Sequence, residues 1–255
     1  MSNMVALSGR HALSVHDLSV AYRHDHNLLF ALQGATLEVK RGEFVCVVGG
    51  SGSGKTTLLN ILAGLDRPTS GRARVHGRVA LIFQEAGLLP WLTAAGNVQL
   101  ALELRGVRSR KRRSMAFELL SRVHLAGFEN RRPHELSGGM KQRVAIARAL
   151  AQDADVLLMD EPFGALDAIT RDVLHQELER IWSESGLTIL FVTHNPREAV
   201  RLGDRVLVFT SRPGRVAHEV RIELPRPRSL DSPELAMVAG RITERLKQEV
   251  FIGGD

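Results

Sequence analysis

Apolar residues alternate with polar ones in two short stretches near the start of the chain, at Leu18, Val20 and Tyr22 and again at Leu37 and Val39. A period of two predicts antiparallel strands with one wet face between residues 13 and 39. From Phe44 to Val48 every position is apolar, as in a strand covered on both faces. A run of glycines and serines follows, and behind it Leu58, Leu59, Ile61 and Leu62 repeat at helical spacing. Residues 156–159 and 189–192 are further apolar runs, and between them Val173, Leu174, Leu178 and Ile181 predict one face of a helix over residues 167–183. Strands alternating with helices imply a parallel sheet, so the expected fold class is α/β with a small antiparallel β region at the N-terminal end.

Strand signals vanish between Gln84 and Leu150, where residues 115–125 and 144–150 carry helical patterns. A mostly helical subdomain is therefore expected to be inserted over about residues 86–152. The chain after Pro225 predicts an amphipathic helix over residues 233–250. The expected organisation is one domain over residues 1–225 that carries the insertion, with a short helical tail over residues 226–255.

Apolar residues make up 44% of the chain and charged residues 24%, an ordinary globular balance. The longest apolar runs, residues 28–32, 44–48 and 79–83 among them, are five residues, too short to cross a bilayer. The first fifteen residues lack the apolar centre of a secretory signal, so the chain is expected to remain in the cytosol. The net charge of +6 is partly concentrated in Arg105, Arg108, Arg110, Lys111, Arg112 and Arg113. No aromatic residue interleaves that run, which reads as a solvated helix edge, and no nucleic-acid partner is expected. Cys46, the single cysteine, lies inside an apolar strand and reads as a core residue without a disulfide.

Gly49, Gly54, Lys55 and Thr56 fit the spacing G-x-x-x-x-G-K-[ST] between a predicted strand and a predicted helix. Glycines let successive backbone N–H groups turn inward toward phosphate oxygens, and the helix adds roughly half a positive charge at its N-terminus. The loop Gly49, Gly50, Ser51, Gly52, Ser53, Gly54, Lys55, Thr56 and Thr57 is thus a candidate cradle for ATP or GTP. The Lys55 ammonium is expected to reach the β- and γ-phosphates, and the Thr56 hydroxyl to ligate Mg²⁺.

Asp160 and Glu161 stand at the end of an apolar strand, where Pro162 stops further pairing. Strand alternation would point them opposite ways, Asp160 toward the Mg²⁺ shell and Glu161 toward the water that attacks the γ-phosphorus. Taken alone, an acidic surface turn explains them equally well.

Leu136, Ser137, Gly138 and Gly139, followed by Met140, Lys141, Gln142 and Arg143, form an N-capped helix start with exposed N–H groups, a second place for an anion to dock. This segment resembles the signature of ATP-binding cassette proteins, and the resemblance extends over residues 13 to about 222. It implies a phosphate-loop NTPase core that works as a dimer, each signature completing the ATP site of the opposite subunit. By the same resemblance Tyr22 stacks on adenine, Gln84 senses Mg²⁺ and water, Asp167 belongs to the loop linking the two sites, and His194 is the switch histidine. Met140 and Asn195 depart from the family pattern, which more often has Gln and Asp there.

Leu88, Leu89, Pro90 and Trp91, together with residues 211–215 and with Pro225, Arg226, Pro227 and Arg228, resemble the nitrate, sulfonate and taurine group of bacterial importers. That resemblance implies a transmembrane permease met near Gln84 and the helical subdomain, a second ATPase subunit, identical or a paralogue, and a periplasmic or lipoprotein solute-binding protein. It places the chain at the cytoplasmic face of the membrane. The alternatives are a cassette ATPase acting on ribosomes or DNA, one serving an unrelated solute, or an unrelated phosphate-loop enzyme such as a nucleotide kinase.

Overall fold

The computed structural model describes residues 11–24 and 27–252; the first ten residues, on which the reading of the N-terminus partly rests, lie outside them. The chain opens with β1 (His11–His24), β2 (Asn27–Lys40) and β3 (Phe44–Val48), then α1 (Lys55–Leu62), β4 (Ser70–Val75) and β5 (Val79–Ile82). Helices α2 (Ala94–Leu104), α3 (Ser109–Arg122) and α4 (Gly138–Ala151) follow, then β6 (Val156–Asp160) and α5 (Ala168–Ser185). The remainder is β7 (Thr188–Thr193), α6 (Pro196–Leu202), β8 (Arg205–Phe209), β9 (Val216–Arg221) and α7 (Pro233–Ile252). Among the described residues no helix is long and apolar enough to cross a membrane. Two compact units result, Met1–Gly77 with Gly186–Asp255, and Arg78–Ser185.

The first unit holds a three-stranded antiparallel sheet in the order β2-β1-β4, the expected N-terminal β region. Its wet-face alternation holds at Leu18, Val20, Leu37 and Val39, all buried, while Tyr22 at the end of the series is 44% exposed. In the same unit β3 pairs in parallel with both β7 and β8, and β9 closes the edge antiparallel to β8. Every residue of β3 and β7 is buried, as unbroken apolar runs require of strands covered on both faces. Leu58, Leu59, Ile61 and Leu62 of α1 are buried as their spacing predicts.

In the second unit β5 and β6 are parallel, and the chain between them is helical. Val98 and Leu102 of α2, Ala116 and Leu120 of α3 and Val144 and Ala145 of α4 are buried. Each fully buried leucine contributes roughly 2 kcal/mol of transfer free energy. Two expectations are corrected here. The helix expected over residues 115–125 is Ser109–Arg122, because His124 takes a left-handed backbone, φ 54°, and ends it. Val173 is not on the buried face of α5: Leu174, Leu178 and Ile181 follow the i, i+4, i+7 line, and Val173, about 100° away from Leu174, is exposed.

Candidate nucleotide site

The candidate residues form two sets, one on each unit. On the first unit, β3 and β7 run in register with Val48 beside Thr193, so the phosphate loop leaves one strand at the level where His194 leaves its neighbour. The carboxyl ends of parallel strands are where α/β folds hold ligands. Gly54 caps α1 with φ 78° and ψ 11°. A Cβ there would stand 2.5 Å from the Ala31 carbonyl oxygen and 2.7 Å from Leu32 Cδ2, so neither backbone nor space admits another residue. No side chain caps α1, and an anion is the partner its first N–H groups call for.

Lys55 is buried with its ammonium gathered into the loop, where Nζ donates to the carbonyls of Gly49 (2.9 Å) and Gly50 (2.8 Å) and to Ser53 Oγ (3.2 Å). The positive charge thus sits inside the cradle. Ser51, Gly52 and Thr56 are exposed on its rim, and Thr57 is half-buried. The Tyr22 hydroxyl donates to Asp66 Oδ2 at 2.8 Å, which ties the exposed ring to the chain just beyond α1. His194 is exposed. Asn195 then caps α6, its Oδ1 accepting from the Arg197 N–H at 3.0 Å, so the amide found where the family favours a carboxylate performs the capping.

On the second unit, Ile82 of β5 is in register with Met159 of β6, which puts Gln84 and Glu161 beyond the same strand ends. A Cβ on Gly164 would lie 3.9 Å from both Gln84 Nε2 and Glu161 Oε2, so amide and carboxylate flank one point. The pleat is not what separates Asp160 from Glu161. Asp160 is the last residue of β6, whereas Glu161 has already left the strand with φ 43°. A left-handed backbone at a non-glycine residue costs about 1–3 kcal/mol and concentrates at functional sites.

Ser137 is the N-cap of α4, its Oγ accepting from the Met140 N–H at 3.3 Å. A Cβ on Gly138 would press on Leu166 Cδ2 at 3.1 Å, and one on Gly139 would collide with Thr170 Cγ2. The signature turn therefore lies against the loop that carries Asp167. Asp167 in turn accepts from the Thr170 N–H at 2.9 Å, and the Thr170 hydrogen bonds hold its carboxyl below the usual range. A cavity of about 400 Å³ lies beside the turn, lined by Gln84, Glu85, Lys141, Gln142, Pro162 and Leu166 among others.

Among the described residues no three His, Cys, Asp or Glu side chains cluster as a metal cage. Thr56 on the first unit offers a hydroxyl oxygen, and Asp160 and Gln84 on the second offer carboxylate and amide oxygens, each a hard donor of the kind that suits Mg²⁺. None of the three is a soft ligand.

Sequence reasoning gives no role to three further side chains that fasten backbone near the candidate residues. Gln142 Nε2 donates to the Gln84 carbonyl at 2.8 Å, and Arg148 donates to the carbonyls of Gly87 (2.7 Å) and Ala86 (2.9 Å), so α4 fastens the Gln84 loop. Arg228 is buried against α6. The signal available for Arg228 was an arginine in a proline-bounded segment; nothing in the spacing singles out Arg148.

A family model described as ABC transporter matches residues 32–164. The chain is 46% identical over 221 residues to the nitrate import ATP-binding protein of Synechocystis sp., covering 84% of this chain and 83% of that one. It is 47% identical over 221 residues to an aliphatic sulfonates import ATP-binding protein of Rhodopseudomonas palustris, covering 84% and 77%. A dimeric structure of an ATP-binding cassette in a post-hydrolysis state, bound to ADP and Pi, superposes with a TM-score of 0.75 at 34% identity, over 84% of this chain and all of that one.

Proposed function

The chain belongs to the ABC transporter family, and on that premise we propose that it is the ATP-hydrolysing, nucleotide-binding subunit of an importer for nitrate, a sulfonate, taurine or a related small solute. The observation that carries this reading is the phosphate cradle, in which a left-handed Gly54 with no room for a side chain and a buried Lys55 ammonium face the start of α1. The nitrate and sulfonate import relatives support the solute class.

Within this reading Gly49 to Thr57 bind the triphosphate and Tyr22 stacks on the adenine. Lys55 neutralises charge on the β- and γ-phosphates, and Glu161 accepts the proton of the attacking water. Gln84, beside Glu161, orients that water, and His194 contacts the γ-phosphate. Ser137, Gly138 and Gly139 supply helix N–H groups to the γ-phosphate of a second copy or a paralogue, and Asp167 joins the two sites. Thr56, Asp160 and Gln84 would hold Mg²⁺, partly through water, and the ion would offset charge on the phosphates. ATP closes the pair, and loss of the γ-phosphate lets it reopen.

The proposed organisation is one cassette over residues 1–225, with residues 86–152 as its helical subdomain and 226–255 as its tail. A permease meets the subunit near Gln84 and that subdomain, where Trp91 is 67% exposed, and holds it at the cytoplasmic face of the membrane. A solute-binding protein completes the system.

The experiment is ATP binding and hydrolysis by Glu161→Gln and Lys55→Ala, with co-purification of the wild-type chain from membranes. Glu161→Gln is expected to bind ATP and lose about 10²-fold or more in turnover, Lys55→Ala to lose affinity, and the wild type to bring down a multi-span permease while hydrolysing ATP weakly when isolated. Wild-type turnover in Glu161→Gln removes the assigned base. Recovery of ribosomes or DNA in place of a permease overturns the transport reading.

A further inference from the structure

Helix α6 begins directly after His194 and Asn195 and has only seven residues, so its position rests on what holds its two ends. At its start, the Thr193 hydroxyl donates to the buried carboxylate of Glu198, and the Asn195 N–H donates back to Thr193 Oγ1 at 3.0 Å. His194 is carried between those two anchors.

At its end, a helix leaves its last carbonyls without partners and favours positive charge beside them. Pro225, Arg226, Pro227 and Arg228 supply both needs. Arg228 Nη1 donates to the carbonyls of Val200 (2.7 Å), Arg201 (3.2 Å) and Gly203 (2.6 Å). Its Nε and Nη2 turn back to the carbonyls of Leu224 (2.9 Å) and Ile222 (3.3 Å). Arg226 Nη2 donates to the remaining carbonyl, that of Leu202, and to Asp204 Oδ1 at 2.8 Å. Its guanidinium also lies 5.9 Å from the centre of the Phe44 ring, the first residue of β3. Asp204 Oδ2 accepts from the Phe44 N–H at 3.0 Å, so the same clasp reaches the strand that ends in the phosphate loop. The two prolines restrict the backbone around both arginines.

We propose that Arg226 and Arg228 are positioning residues for His194: by gripping all four carbonyls from Val200 to Gly203 they hold α6 against β3 and so hold the imidazole at the mouth of the phosphate loop. This rests on the role given to His194 above and adds the device that keeps it in place. A misplacement of about 1 Å at a reacting group can cost about 10²-fold in rate, so a clasp remote from the nucleotide can act on turnover.

The test is steady-state ATP hydrolysis by the purified full chain carrying Arg228→Met, Arg226→Met or His194→Ala, alone and in combination. Methionine keeps an apolar stem and removes the guanidinium; Arg226 is only half-buried and carries the test if Arg228→Met fails to fold. Each arginine variant is expected to lower kcat about tenfold or more, with KM for ATP within about twofold of wild type. In the His194→Ala background the same substitutions are expected to lower kcat no further. A purely structural role would lower the melting temperature and leave kcat unchanged below it. Folded arginine variants with wild-type kcat, or losses that multiply in full with that of His194→Ala, overturn the clasp while leaving the role of His194 intact. Wild-type kcat in His194→Ala overturns that role and the proposal together.

Discussion

The carbonyl oxygen of Gln84 accepts a 2.8 Å hydrogen bond from the side-chain amide of Gln142, so the loop bearing the candidate water-orienting glutamine is fastened to the helix that starts at the signature turn. Gln142 is buried, and replacing it by Leu would strand the Gln84 carbonyl at a cost of about 1–2 kcal/mol. Gln142→Leu is expected to speed amide exchange over residues 84–87 and to lower kcat with ATP binding retained, which hydrogen exchange and a hydrolysis assay check together.

Gly54→Ala meets two penalties at once. A left-handed alanine costs about 1–2 kcal/mol, and its Cβ would collide with Ala31 and Leu32, adding about 1–3 kcal/mol. Thermal unfolding is expected to register the destabilisation, and nucleotide titration a loss of binding larger than that of Thr57→Ala.

Asp167 gives a pH dependence of known sign. Hydrogen bonds from Thr170 depress its carboxyl, so the stabilisation is present above the unfolded value and is lost as pH falls through the folded one. The melting temperature is expected to decline below about pH 4, and Asp167→Asn to flatten that part of the profile. An unchanged profile would count against the Thr170 hydrogen bonds as its cause.

Burial pushes the Cys46 thiol well above its ordinary value, with the nearby carboxylate of Glu198 acting the same way. Alkylating reagents are expected to leave native protein unmodified at neutral pH and to label Cys46 only on unfolding, so the labelling rate measured by mass spectrometry reports opening of the β3 core.

Most of the first unit was legible in the sequence because unbroken apolar runs and a glycine loop are local signals. Phe44 to Val48, residues 189–192 and the four apolar positions of α1 came through because each pattern is set by its own period. What stayed hidden depends on partners distant along the chain. Val173 looked like a core position because an apolar side chain says nothing about which side of the helical line it takes. Glu161 was placed by a pleat it does not share, since the left-handed turn that sets its direction leaves no mark in residue type. Arg228 and Arg148 carry no role legible in residue type, because both spend their guanidinium groups on backbone carbonyls far along the chain.

The claim that each copy supplies half of its twin's ATP site is tested most directly by hydrolysis in mixtures of Lys55→Ala and Ser137→Arg chains. The account predicts that each variant alone is slow and that mixing restores turnover, because an intact cradle from one chain then faces an intact signature from the other. Ser137→Arg hydrolysing ATP unaided at the wild-type rate, with a rate per chain that does not depend on chain concentration, would contradict it.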